Sequence, residues 1–367
     1  MKIGIDGRAL LGSRTGVGRY VYELCREIDL LLPSAQFYVY SPLPLELPVI
    51  SDRWTLRLDD SIFAKWLKPV LWLKFRCGYL CKQDNLNVFW GAATFLPDLS
   101  LAVRTVVTIY DLNFVIAPKT MSFTHRWAFK LFFVKNLARA NIVLAISMGT
   151  SERLLKIFGR RADVIVCPSV NPSFVRQRED VIKSVMKKYS LDRPYLLAVA
   201  TWEPRKNLEL LILTFLEMKN QGHLNSYKLV LVGGRGWKDQ RLSALSRKTD
   251  QIISLGFVPE ECLPAIYTGA DIFIFPSIYE GFGMPVAEAL ACGTTTITSD
   301  TPELREVGGN DAIYIEPTLE GIRRGILDGL GQPLKHNFIA QATHSWEDGA
   351  RSMVTAFTEL IGTQIKS

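Results

Sequence analysis

The chain has 367 residues, 48% hydrophobic and 22% charged, which excludes a disordered polymer and exceeds what one hydrophobic core usually organises, so two domains are expected. Its formal net charge of +7 calls for an acidic partner: nucleic acid, an anionic membrane or a phosphorylated substrate. No apolar run reaches the roughly 18 residues of a membrane-spanning helix, and Met1-Lys2-Ile3-Gly4-Ile5-Asp6 reads as a first strand rather than a signal peptide, so a cytoplasmic protein is expected.

Short β-rich apolar runs alternate with longer helical stretches, the pattern of a parallel sheet covered by helices. In the first half, residues 2–5, 36–40, 87–90, 104–109, 142–145 and 164–166 read as strands, with helices over 16–32 and 123–140. A charged segment, 176–188, leads into a second cycle. Strands are expected there at 195–199, 228–232, 252–255, 272–275 and 295–298, with helices near 207–220, 240–247, 261–269, 285–291 and 319–329. The expected architecture is α/β, two Rossmann-like doubly wound domains facing across a cleft. Ligands of such sheets lie beyond the carboxyl ends of the strands. The expected boundaries are 1–172 for the first domain and 173–348 for the second, with a C-terminal helix over 349–367 that packs back on the first. Neither half carries a compact Gly-x-Gly-x-x-Gly fingerprint, which counts against a dehydrogenase.

The six cysteines are scattered, and only Cys77 and Cys81 are close, at helical spacing. Buried, reduced thiols are expected rather than a zinc site. Positive charge, in contrast, is concentrated. No Asp or Glu occurs from Leu112 to Ser151, where Lys119, Arg126, Lys130, Lys135 and Arg139 alternate with Phe123, Trp127, Phe129, Phe132 and Phe133. The stretch Lys65–Lys82 is also acid-free and mixes Lys68, Lys74 and Arg76 with Trp66, Trp72 and Phe75. Rings that bury at a headgroup boundary beside cations that meet lipid phosphate fit an anionic membrane surface better than nucleic acid. The plain alternative is a buried helix with snorkelling lysines.

The most informative run is Phe275-Pro276-Ser277-Ile278-Tyr279-Glu280-Gly281-Phe282-Gly283-Met284-Pro285-Val286-Ala287-Glu288. A strand ends at Phe275, Gly281 and Gly283 permit close backbone approach, and Pro285 fits the first turn of a helix. Exposed amides at that helix start suit a phosphate. Glu280 precedes the helix and Glu288 lies one turn inside it, so the two carboxylates can serve opposite ends of one ligand.

With that context the chain resembles the retaining glycosyltransferases of family 4, of the GT-B fold, whose Glu-x7-Glu motif matches Glu280 and Glu288. The resemblance implies that Glu280 orients the donor sugar and Glu288 the ribose, with Gly281, Phe282, Gly283, Met284 and Pro285 at the donor phosphates. It extends to Thr201-Trp202-Glu203-Pro204-Arg205-Lys206-Asn207, where the family places the cations that bind the donor diphosphate. Lys206 matches the family lysine. Thr201 stands where many members carry an arginine, a role that Arg205 would take over. Gly233, and Phe257 and Val258 ahead of the helix near Leu263, match loops that border the nucleotide base. In the first half, Gly16 and Gly18 match a glycine-rich loop that approaches the donor phosphates. Tyr110 and Asp111 match a His-Asp motif near the acceptor, with Tyr110 in place of the histidine.

The implied activity is transfer of a hexose, with mannose from GDP-mannose as first guess, to a lipid-linked saccharide in synthesis of bacterial O-antigen, exopolysaccharide or glycolipid. It would proceed with retention at the cytoplasmic face of the cell membrane. No cofactor and no metal are expected, since no Asp-x-Asp occurs and Lys206, Arg205 and helix amides can neutralise the diphosphate. A soluble small-molecule acceptor and an inactive membrane-associated scaffold are the competing readings.

Overall fold

The computed structural model describes residues 1–12, 16–121, 123–234, 236, 240–246, 249–331 and 344–365. The chain divides into two compact units: Met1–Phe114 with Phe123–Ser169 and Thr343–Ser367, and Val115–Ser122 with Val170–Ala342.

The first unit is built on a parallel sheet of β1 (Lys2–Asp6), β2 (Gln36–Ser41), β3 (Trp54–Leu58), β4 (Val88–Gly91), β5 (Arg104–Ile109), β6 (Ile142–Ala145) and β7 (Val164–Ile165). Their order is β3-β2-β1-β4-β5-β6-β7. The second unit repeats the plan with β8 (Tyr195–Val199), β9 (Lys228–Val232), β10 (Ile252–Gly256), β11 (Ile272–Phe275), β12 (Thr295–Ser299) and β13 (Ala312–Ile315), ordered β10-β9-β8-β11-β12-β13. Helices cover both faces of such sheets, so the central strands are largely buried: β11, Ile-Phe-Ile-Phe, is buried at every position. Phe215, Tyr267 and Tyr195 are fully buried in the same core. Each sheet reverses its winding once, at β1/β4 and at β8/β11, and loops leaving the carboxyl ends of those strands diverge to leave a crevice.

Two strands lie outside the sequence expectation, β3 and β13. Both are edges with mostly half-buried or exposed residues, so neither forms the continuous apolar run that marks a central strand. The helices Met148–Phe158 and Pro302–Gly308 are also additional. The first is announced by Ser147, whose hydroxyl accepts from the Thr150 amide, and closed by left-handed Gly159. The helix Trp346–Ile365 belongs to the first unit, where it packs on Gly16–Leu31 and sets Trp346 edge-on to Tyr20 at 5.8 Å.

All six cysteines are buried and none is in a disulfide. The basic aromatic stretches divide between core and surface. Trp72 and Phe133 point inward, and Lys74 is buried with its ammonium 2.9 Å from Asn136 Oδ1, where burial lowers its pKa to about 8. Trp66, Phe75, Tyr79, Phe123 and Trp127 are exposed, Trp66 to 84%, as are Lys68, Lys82, Lys130 and Lys135. Among the described residues no helix is long and apolar enough to cross a membrane.

Glycine is required where the second unit's loops cross. Gly233 has φ +131°, and a Cβ there would collide with the Ala200 carbonyl oxygen, whereas Gly234 has open space. Gly233→Ala is expected to lower unfolding free energy by about 2 kcal/mol or more, and Gly234→Ala by less than about 0.5. Urea denaturation followed by circular dichroism checks this; equal losses would show that the crossing tolerates a side chain.

Candidate active site

In the second unit the site forms at the β8/β11 reversal. β8 runs into a loop and a 3₁₀ turn, Pro204–Lys206, and β11 runs into the loop Pro276–Gly283, so the winding rule alone places Arg205 and Lys206 beside Glu280. A backbone bond from the Ile278 amide to the Arg205 carbonyl, 2.8 Å, joins the two loops. Asn207, left-handed at φ 58°, ends the turn and opens the helix Leu208–Asn220, and its side-chain amide donates to the Pro317 carbonyl at 3.1 Å.

Both cations grip one carboxylate. Lys206 Nζ donates to Glu280 Oε1 at 2.6 Å, and Arg205 Nη1 donates to Glu280 Oε2 at 2.7 Å. Lys206 Nζ also lies 4.9 Å from the Phe275 ring centre. Burial pushes the Glu280 carboxyl up, but the Lys206 and Arg205 charges outweigh it and hold the group below the usual carboxylate range. Arg205 Nε donates in turn to Glu203 Oε2 at 2.9 Å.

Glu288 sits on the helix Met284–Ala291 and is buried, with Oε2 accepting from the Tyr267 hydroxyl at 2.9 Å. Burial first, and then the Glu288 charge, raise the Tyr267 pKa, so the phenol remains a donor and orients the carboxylate. Gly283 caps that helix at φ 110°, where a Cβ would strike Leu304, so the close turn demands glycine. Met284 and Pro285 form the first turn, and Phe282 is buried beside it. Gly281 lies in the same loop. On the neighbouring loops Thr201 is exposed, Phe257 is 80% exposed, Val258 is buried and Leu263 opens the helix Leu263–Gly269. The Gly233 amide donates to the Gly256 carbonyl at 2.8 Å, which ties the loop after β9 to the end of β10.

In the first unit, Gly16 and Gly18 lie in the first turn of Gly16–Leu31, Gly16 exposed and Gly18 buried; Ser13, Arg14 and Thr15 of the glycine-rich loop lie outside the described residues. The Tyr110 hydroxyl donates to the Ala92 carbonyl at 2.7 Å, and its ring stands edge-on to Tyr20 at 5.4 Å. Asp111 Oδ1 accepts from the Asn113 amide at 3.0 Å, a turn-capping bond.

Two partners carried no signal beyond their presence in the sequence. Tyr267 lies in a predicted helix with nothing to tie its hydroxyl to Glu288, and Glu203 reads as one polar residue of a loop.

Residues 182–344 match the family model of glycosyl transferases group 1. Residues 182–344 thus correspond to a group 1 glycosyltransferase domain. Over its whole length the chain is similar to the O-antigen chain mannosyltransferase B of Escherichia coli, 29% identical across 97% of this chain and 99% of that protein. Among solved structures it is similar to the sucrose-phosphate synthase of Thermosynechococcus elongatus, with TM-score 0.76 at 18% identity, covering 99% of this chain and 100% of that one. It is also similar to Anabaena HepE, solved with UDP and glucose, with TM-score 0.63 at 14% identity, covering 100% of this chain and 99% of that one. These likenesses establish the GT-B fold.

The Glu280 ion pairs give the site a pH signature. Because the folded pKa lies below the unfolded one (about 4.3 for glutamate), the stabilisation is complete above the unfolded value and is lost as pH falls through the folded value. The stability gap between the native protein and Glu280→Gln should therefore narrow between about pH 5 and pH 3. Urea titrations at several pH values measure it; a gap independent of pH contradicts the pairing.

Proposed function

We propose that this glycosyltransferase moves mannose from GDP-mannose to a lipid-linked saccharide during assembly of a bacterial surface polysaccharide, with retention of configuration and without a metal. The observation that carries the reading is the convergence of Lys206 and Arg205 on Glu280 at the sheet reversal, next to the amide-rich start of Met284–Ala291. Cations and helix amides at one place neutralise a leaving diphosphate in the way that a metal clamp otherwise does.

In this scheme the bond from the anomeric carbon to the diphosphate oxygen breaks while the acceptor hydroxyl attacks from the same face. The acceptor proton passes to the departing phosphate oxygen. Lys206 and Arg205 stabilise the charge that develops on the diphosphate, and the Gly281–Met284 amides share it. Glu280 orients the sugar hydroxyls, and Glu288, aligned by Tyr267, takes the ribose hydroxyls. Phe257 and Val258, with Leu263 and Gly233, border the base. In the first unit, Tyr110 with Asp111 contacts the acceptor.

Mannose as the sugar and a saccharide of the O-antigen kind as the acceptor are supported by the full-length similarity to the E. coli enzyme. A lipid anchor on the acceptor, and a site of action at the inner face of the cell membrane, are supported by the exposed Trp66, Phe75, Tyr79, Phe123 and Trp127 among exposed lysines.

A turnover assay offering GDP-mannose and UDP-glucose should show mannose transfer at an undiminished rate in excess EDTA. Activity that vanishes in chelator and returns with manganese contradicts the metal-free scheme, and preference for UDP-glucose contradicts the donor. Binding to anionic vesicles should be salt-sensitive, at about 1 kcal/mol per engaged cation, and should weaken in Trp66→Ser/Trp127→Ser. Co-sedimentation reads both; indifference to anionic vesicles at low salt would favour a soluble acceptor.

A further inference from the structure

Arg205 and Lys206 are adjacent in sequence yet grip the same carboxylate, and adjacency alone works against that. In the 3₁₀ turn Pro204–Lys206, successive side chains leave the backbone roughly 120° apart. Lys206 reaches Glu280 from a buried position, whereas Arg205 keeps a side-chain exposure of 21% and has to fold its guanidinium back over the turn. The contact that fixes the fold-back is with Glu203, whose Oε2 holds Arg205 Nε at 2.9 Å while Nη1 meets Glu280 at 2.7 Å. Two of the three guanidinium nitrogens are thereby tied to carboxylates on different loops, which sets the plane of the group.

Glu203 is itself well placed to act as an anchor. Its amide donates to the Thr201 carbonyl at 2.8 Å and its carbonyl accepts from the Lys206 amide at 3.0 Å, so its backbone belongs to the turn it braces. On its outer side, Gly236 leaves the room it needs: a Cβ there would come within 3.0 Å of Glu203 Cγ and would strike the Trp202 carbonyl.

The charge of Glu203 argues against direct contact with the donor diphosphate, since a carboxylate beside a diphosphate repels the anion. Its own side chain is 28% exposed, so its charge needs no buried partner. We propose that Glu203 is a positioning residue of this transferase, one that holds the Arg205 guanidinium in the orientation from which Arg205 acts on the donor diphosphate. The proposal rests on the donor-site reading given above. It assigns to Glu203 an effect on turnover that is opposite in kind to its electrostatic effect on nucleotide affinity. The turn Pro204–Lys206 supplies two cations, Arg205 and Lys206, and this makes the orientation of Arg205 consequential.

The test is a mutant cycle read by steady-state kinetics with the nucleotide sugar that the native protein turns over, together with calorimetric titration of GDP. Glu203→Gln should lower kcat about tenfold while GDP binds as tightly as to the native protein or more tightly. In an Arg205→Lys background, which removes the planar fork that Glu203 aligns, Glu203→Gln should change kcat less than twofold. The proposal is overturned if Glu203→Gln leaves kcat within twofold of native, if it slows turnover equally in both backgrounds, or if it abolishes GDP binding, which would mark Glu203 as a support of the loop itself. Native protein that turns over no nucleotide sugar overturns the functional reading instead, and does so before any variant is compared.

Discussion

The second unit is organised around a carboxylate that is taken out of water. The Glu280 side chain is only 8% exposed, and removing an ion of that kind from solvent costs several kcal/mol unless close partners compensate. Lys206 at 2.6 Å and Arg205 at 2.7 Å are those partners. They lie about 75 positions away in sequence, and the arrangement exists because β8 and β11 are neighbours at the point where the sheet reverses its winding. Remote segments meet there by topology, and the ion pairs then fix how closely they meet.

Other features of the site follow from that constraint. The Ile278–Arg205 backbone bond keeps the two loops in step, and left-handed Asn207 ends the turn at the residue after Lys206, so the lysine stays at the crevice. Gly283 lets the chain enter the Met284–Ala291 helix against Leu304, and this sets both the helix amides and the start of the turn that carries Glu288. Tyr267 fixes that second carboxylate from an adjacent helix. The result is one acidic group held by cations and another held by a phenol, two environments that the proposed function assigns to different ends of a nucleotide sugar. In the first unit Tyr20 packs edge to face against both Tyr110 and Trp346, and its hydroxyl donates to the Val166 carbonyl.

Much of the fold was legible because the central strands of a two-sided sheet are dominated by apolar residues. β5, β6, β8, β9 and β11 match their expected bounds for that reason. The edges β3 and β13 were not legible, since half-exposed strands lose the continuous signal. At the site, the Glu280 to Glu288 run announces its loop, glycines and helix start directly in sequence. The pairing of Lys206 and Arg205 with Glu280 does not appear there, because spacing along the chain says nothing about which loops a parallel sheet brings together. Tyr267 and Glu203 were illegible for the same reason. In the basic aromatic stretches, composition correctly flags the segments but does not separate Trp66 at the surface from Trp72 in the core; only the packing of each turn does.

The central claim is that the cation pair at the β8/β11 reversal recognises a diphosphate. Calorimetric titration of GDP and GMP into the native protein and into Lys206→Ala tests it most directly, since the two ligands share base and ribose and differ by one phosphate. The account predicts that GDP binds the native protein at least about tenfold more tightly than GMP and that this preference collapses in Lys206→Ala, with GMP affinity little changed. A preference for GDP that survives intact in Lys206→Ala, or the absence of any preference in the native protein, would place the diphosphate elsewhere and contradict the account.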